Sequence, residues 1–363
     1  MPGYDDDASR QAAAETVLEI GRVCAAERID CGYHRGGGLS IATNEPQLQD
    51  LRCIPLGDHA VWLDPDALAE RIRGVRALGA IHSPHYARIQ PARLARGLAS
   101  VVERLGVVIR EQTPVREIVA GVARTDRGDV QAAWVVRATE GYTASLRGLE
   151  RVVVPPRSTM IVTEPLPAAA WEQIGWDNAE LVHDYAHAYV YIQRTVDGRI
   201  AIGGRGRPYY FGSRHDQFGE VENWAIDGLT RRLHALFPVT QRYAVVHAWS
   251  GVFGALRDWK MRIAADPTTG LASAGGYVGS GVGAANLSGR VLTDLIGGVQ
   301  TPLTSLPCVN RPQPRLWEPE PLRFAGANLI YWLLRQADRD EQRTGRRSRL
   351  RDAAVALGGW THR

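Results

Sequence analysis

Apolar residues recur at helical spacing over residues 8–27, where Val17, Leu18, Ile20, Val23 and Cys24 share one broad face, and over residues 91–105 through Leu94, Leu98, Val101, Val102 and Leu105. That period predicts two amphipathic helices, with Ser9 as a candidate N-cap of the first and Gly106 as the stop of the second. Shorter helices are predicted over residues 44–50 and 64–73, the latter opened by Asp64-Pro65. Longer ones follow over residues 217–237, closed by Pro238, and residues 322–340. Runs of β-branched and apolar residues predict strands at 39–43, 78–83, 107–110, 114–120, 122–125 and 133–138. A hairpin is predicted over 190–203 around Asp197-Gly198, and further strands at 243–249 and 261–265.

The most informative pattern is the stretch 271–296, LASAGGYVGSGVGAANLSGRVLTDLI. It reads as a short apolar strand, a loop with five glycines between Gly275 and Gly283, and a helix whose Val291, Leu292, Leu295 and Ile296 repeat correctly. Glycines serve where backbone takes positive φ or lies against a ligand, and the helix start offers unpaired N–H groups to an electron-rich group. A turn with close helix-to-strand packing would use the same residues. Gly279, Gly281 and Ala284 also fit a G-x-G-x-x-G/A fingerprint. A dinucleotide unit needs a second parallel strand with an acidic end, however, and here the helix runs into Thr301-Pro302. The loop therefore closes a nucleotide fold opened elsewhere.

This segment resembles the last cofactor-contacting segment of the glycine/D-amino-acid oxidase superfamily, flavoenzymes that oxidise amines and amino acids. A helix, a strand, a Thr-x-Val, a β-meander and the run WVVRATEGYT stand in the order that superfamily uses, as does VVVPPRSTMIVTEPL entering the substrate domain. The resemblance implies FAD as cofactor, held by Val115, Ala138, Thr139, Gly141, Gly275, Gly276, Tyr277, Gly279, Gly281, Val282, Gly283 and Asn286. Glu140 departs from the small residue usual at its position, and a carboxylate there is unwelcome beside a diphosphate unless it points away. The implied fold is α/β or α+β: an incomplete FAD-binding Rossmann-like domain from residues 1–38, 85–150 and 270–300, and a substrate domain with a mainly antiparallel sheet from 39–84 and 151–269. Residues 301–363 form a proline-rich linker and a C-terminal helix.

Composition narrows the partners. A chain of 363 residues with formal charge +4 is ordinary for a globular protein and gives no argument for nucleic acid. Cys24, Cys31, Cys53 and Cys308 show no C-x-x-C spacing, which fits free thiols in a reducing cytosol. The acidic start MPGYDDDASRQAAAE lacks the pattern of a signal peptide, and no apolar run is long enough to span a membrane. A cytoplasmic protein acting on a small molecule is expected.

Oxidising a CH–NH bond with flavin asks the protein to place the substrate, keep its amine neutral and exclude water. Aromatic walls and an arginine suit that task, so Tyr189, Tyr191, Arg205, Trp249 and Arg257 are the substrate-pocket candidates, although strands carry such aromatics in any case. Lys260, the single lysine, is a candidate for assisting reaction with oxygen, with exposure on a loop as the alternative. His183 with His187, and His82 with His85, lack further ligands in the sequence, and no metal is expected. The charge-dense run 335–351 reads as a solvated helix face.

The superfamily's opening strand, G-x-G-x-x-G and helix have no counterpart here. The sequence reads as an N-terminally truncated FAD-dependent amine or amino-acid oxidoreductase. The alternatives are a subunit completed by another chain, or a binding module of the same fold that has lost its flavin.

Overall fold

The computed structural model describes residues 6–57, 59–214, 219 and 221–358. Its first half contains α1 (Asp7–Ala26), β1 (Gly38–Ala42), α2 (Glu45–Arg52), β2 (Val61–Leu63), α3 (Pro65–Ala69), β3 (Gly79–Ser83), α4 (Pro91–Arg104), β4 (Val115–Val119), β5 (Val122–Thr125), β6 (Gly128–Gln131) and β7 (Val135–Arg137). Then come β8 (Arg157–Thr163), α5 (Ala168–Ile174), β9 (Leu181–Asp184), β10 (Val190–Arg194), β11 (Ile200–Arg205), α6 (Asn223–Leu236), β12 (Val245–Val252), β13 (Arg262–Asp266), β14 (Leu271–Gly275), α7 (Gly281–Ile296), α8 (Leu322–Thr344) and α9 (Arg349–Gly358).

Local chemistry sets the helix ends. Asp6, not Ser9, caps α1: its carboxylate accepts from the Ser9 N–H at 2.9 Å and from the Ser9 hydroxyl. Asn44 and Asp64 cap α2 and α3, and α4 opens with proline at its first turn. The expected start of α6 at residue 217 lies outside the described residues. α6 itself begins at Asn223, after an extended Glu222 at its N-cap.

Eight strands form one sheet in the order β12-β8-β11-β10-β9-β1-β3-β2, antiparallel at every junction except β9–β1. Alternation gives it two unlike faces. Leu39, Val182, Ile192, Ile202 and Ile161 lie side by side on one face and join Leu229, Leu233 and Phe237 in the largest core. The other face carries Ser40, His183, Tyr191, Gly203, Met160 and Trp249 in a single row across six strands. A mixed row of this kind leaves that face for polar chemistry.

A second sheet, β13-β14-β7, pairs β14 with β7 in parallel and packs against α7 and α1 through Ala272, Ala274, Leu287, Val291 and Ala12. The antiparallel meander β4-β5-β6 stands apart. The strand expected at residues 107–110 does not form. Val107, Val108 and Ile109 are 53, 67 and 40 % exposed, and among the described residues they belong to no sheet. Strand propensity without a neighbouring edge cannot satisfy backbone N–H and C=O groups, so the segment stays irregular and wet. β7 likewise pairs on one side only.

Candidate functional site

The glycine loop leaves β14 at Gly275 and enters α7. Gly276 at φ +75° and Gly279 at φ +109° occupy left-handed backbone that a side chain resists. At Gly276 a Cβ would also meet Leu256, 2.8 Å away. Ser280 stands at the N-cap of α7 without using its side chain as a cap, and a Cβ on Gly281 would meet nothing. The first turn of α7 therefore presents N–H groups and the positive end of the helix dipole to open space. Tyr277 and Val278 are buried, while Val282 is exposed. On the next turn the buried Asn286 Oδ1 has no hydrogen-bond partner among the described residues.

The end of β7 meets this loop. Thr139 bonds Thr143 between hydroxyls at 2.9 Å, and Gly141 packs so closely on Phe253 that a Cβ would lie 3.1 Å from its backbone. Glu140, at φ +43°, turns its carboxylate into the loop. One oxygen accepts from the Tyr277 N–H at 2.8 Å and the other from the Gly254 N–H, with the Gly276 N–H also directed at it. Burial pushes this carboxyl above its ordinary value, and the three N–H groups pull it partly back. Glu140 thus staples β7, the segment before β13 and the glycine loop. Beside it, Arg137 and Arg262 line a cavity of about 20 Å³, room for one water; burial lowers both guanidinium pKa values, with the Arg262 charge adding to it at Arg137 and the Arg311 charge at Arg262. Val115 is set apart at the start of the meander, which reaches this region through the Arg147 N–H bond to the Arg116 carbonyl.

The substrate candidates divide. Tyr189, Tyr191 and Arg205 come together. The Tyr191 hydroxyl bonds Ser158, and the Tyr189 hydroxyl lies 3.4 Å from where a Cβ on Gly279 would stand, which ties this cluster to the glycine loop. The Arg205 guanidinium carbon lies 5.2 Å from the Tyr189 ring centre and 5.8 Å from those of Trp259 and Tyr331. Its Nη1 is buried and has no hydrogen-bond partner among the described residues. Trp249 shares the sheet face but sits on the edge strand, 37 % exposed and stacked on His247 at 5.6 Å.

Arg257 already has partners: it pairs with Glu318 at 3.3 Å, donates to the Gly358 carbonyl and covers the Trp317 ring. Lys260 is exposed, so its ammonium is not in a water-excluded site. Lys260 thus takes the exposed-loop alternative, and the direction of both side chains depends on which way that loop faces.

Trp259 was not among the expected pocket residues, and the expected solvated face is only part of residues 335–351: 342–347 are exposed, whereas Arg335, Asp338 and Glu341 turn inward. Arg335 donates to the Gly206 carbonyl at 2.7 Å, and Asp338 accepts the N–H groups of His187 and Ala188, each at 2.8 Å. Glu341 meets His187 Nε2 at 3.1 Å and accepts the Ser348 N–H. Ligand atoms of His187, Asp338 and Glu341 lie within 4.8 Å of one another, but their bonds to backbone make them a clasp for α8. His183 bonds Ser40 at 2.8 Å, and His82 and His85 are part-buried with pKa values lowered by desolvation. No described helix is long and apolar enough to cross a membrane.

A family model described as FAD dependent oxidoreductase matches residues 1–295. Among curated proteins, the chain is 25 % identical over 306 residues to the probable oxidoreductase OrdL of Haemophilus influenzae, covering 78 % of this chain and 66 % of that one. It is 27 % identical over 282 residues to the gamma-glutamylputrescine oxidoreductase of Escherichia coli K12, covering 75 % and 63 %. The chain thus spans slightly under two-thirds of these relatives' lengths. Among solved structures, glycine oxidase from Geobacillus kaustophilus superposes with a TM-score of 0.69 at 22 % identity, covering 81 % of this chain and 79 % of that one.

Proposed function

We propose, on the premise that this chain belongs to the family of FAD-dependent oxidoreductases, that it oxidises the CH–NH bond of an amine or amino acid at the junction of the glycine loop and the Tyr189–Arg205 cluster. The observation that carries this reading is the uncapped N-terminus of α7, opened by glycines and set beside that cluster. It fits a flavin: an electron-rich ring oxygen suits unpaired N–H groups at a helix start, and only glycine lets a flat ring approach the backbone. Gly275, Gly276, Tyr277, Gly279, Gly281, Val282, Gly283 and Asn286 would hold the ring end, and Val115, Ala138, Thr139 and Gly141 the nucleotide end. When bound, FAD supplies the acceptor for the hydride that leaves the substrate carbon.

The chain's own residues bind and orient. Arg205 receives a charged substrate group, and Tyr189 and Tyr191 wall the pocket and exclude water, which strengthens every polar contact inside. The half-buried Arg205 charge near the site also favours the neutral amine that the oxidation needs. A second reading, a flavin-free binding protein, draws on Glu140, whose carboxylate already takes the N–H groups at the start of the loop. The free first turn of α7 favours the first. A partner chain that adds a strand at the open edge of β7 would cover Val136, which is 43 % exposed.

The reading is tested by adding glycine, L-proline and γ-glutamylputrescine anaerobically to the chain saturated with FAD. Loss of the oxidised-flavin band with one of them is expected. A panel of amines and amino acids that leaves the band unchanged on a chain that binds FAD would contradict it.

A further inference from the structure

We propose that the outer face of α8 docks the chain on an anionic phospholipid surface. The helix lies along the headgroups without crossing the bilayer, and the inference stands apart from the oxidoreductase reading.

The inner face of α8 is already occupied. Phe324 and Ala327 pack on Tyr209 and Trp317, and Ile330, Leu333 and Leu334 pack with Leu350 and Ala354 of α9. On the other side, Leu322, Ala325, Leu329, Trp332, Arg339 and Arg343 follow at steps of three, four or seven residues, the spacing that keeps side chains on one face of a helix. That face points to solvent. Leu322, Leu329 and Trp332 are 66, 46 and 55 % exposed, and Ala325, Arg339 and Arg343 are exposed as well. The stripe is thus apolar in its first turns and basic in its last.

The patch is broader than one helix seam. Phe211 is 48 % exposed and stands edge-on to Phe324, with ring centres 5.6 Å apart. Trp224 is 43 % exposed and lies under the Arg335 guanidinium at 4.8 Å. Phe324 and Arg335 are about three turns apart on one flank of α8, so both exposed rings border the stripe. Of the three carboxylates on α8, Asp338 and Glu341 turn inward, and Asp340 pairs with Arg343 at 3.3 Å. Arg339, and Arg346 just past the helix, are exposed and pair with no carboxylate among the described residues.

An exposed apolar patch bordered by charge of one sign marks a contact surface, and the charge says of what kind. A second copy docked in parallel would set Arg339 and Arg343 against their equivalents, and a single partner helix would leave Phe211 and Trp224 uncovered. A lipid surface takes both halves: Leu, Phe and Trp side chains enter the boundary beneath the headgroups, and the arginines meet lipid phosphates. Tyr331 on the inner face lies against Arg205, so docking sets the candidate site one helix thickness from the lipid.

The test is co-sedimentation of the full chain with two kinds of vesicle, phosphatidylcholine alone and phosphatidylcholine with about one-third phosphatidylglycerol. Binding is expected to the anionic vesicles, weakened by about tenfold or more in about 0.5 M salt, and only background to the neutral ones. The double substitution Leu329→Ser with Trp332→Ser is expected to weaken it by about tenfold or more, as is Arg339→Gln with Arg343→Gln. Arg339→Lys with Arg343→Lys keeps the charge and is expected to bind like the wild type. All four positions are exposed, so cooperative melting should be unchanged and any loss read as loss of contact. Absence of binding to the anionic vesicles, equal binding to the neutral ones, or wild-type binding by the serine variant would overturn the proposal. A doubling of mass in light scattering that the serine variant abolishes, with no vesicle binding, would assign the face to a second copy instead.

Discussion

Asp184→Ala is expected to destabilise the chain by about 3–5 kcal/mol, measured by denaturant unfolding of the purified protein. Asp184 ends β9 with its side chain wholly buried, accepts the Val190 N–H at 2.8 Å and pairs with Arg232 of α6. Removing it orphans that N–H and leaves a guanidinium facing a desolvated space. Arg232 keeps 35 % of its side-chain exposure, so water recovers part of the loss, and the figure stays below the sum of the two terms. Asp184→Asn keeps an acceptor for Val190 and is expected to cost about half as much. The effect reaches the site because Val190 opens β10 and Tyr189 immediately precedes it. A variant with wild-type stability would show that the pair is solvated in solution.

Glu140→Ala is the second large effect, expected at about 3–5 kcal/mol by the same measurement. The N–H groups of Tyr277, Gly254 and Gly276 lose their acceptor together, and alanine at positive φ gains nothing in backbone strain. Glu140→Gln keeps one oxygen but turns an amide donor toward the second N–H, so an intermediate loss is expected. The pH dependence has a definite sign. Burial raises the folded pKa of Glu140 above its ordinary 4.5, so its stabilisation is fully present below the unfolded value and is lost as pH rises through the raised folded value. The gap in stability between wild type and Glu140→Gln should therefore narrow as pH rises through that window. A gap that widens would mean that the three N–H bonds outweigh burial.

Much of the scaffold was legible in the sequence because it follows from local rules. The 3.6-residue periods gave α1 and α4 to within a residue or two, and the Asp197-Gly198 turn placed the β10–β11 hairpin. What failed needed a neighbour to decide it. Val107 to Ile109 have strand character and no strand to pair with, whereas β6, at Gly128–Gln131, has only Val130 of that character and forms because β5 offers an edge.

The site divides in the same way. The glycine loop announces itself, since Gly276 and Gly279 sit where side chains are penalised. The directions of Arg257 and Lys260 depend on the path of the loop before β13, which no periodicity encodes. Arg335, Asp338 and Glu341 follow helical spacing, but all three are charged, so an inward-facing polar stripe was taken with the solvated residues around it. Its partners, the ends of β9 to β11, are distant in sequence. Glu140 looked misplaced beside a nucleotide, and its reason is the set of backbone N–H groups it satisfies.

The most direct test of the central claim is the visible absorption spectrum of the purified chain titrated with FAD, beside Gly279→Val. A flavin band perturbed by the wild type, and unperturbed by a variant that places a β-branched side chain at φ +109° in the loop, is the result this account requires. A wild-type chain that melts cooperatively, stays monodisperse and leaves the FAD spectrum identical to that of free FAD would contradict it, and would point to the flavin-free binding protein.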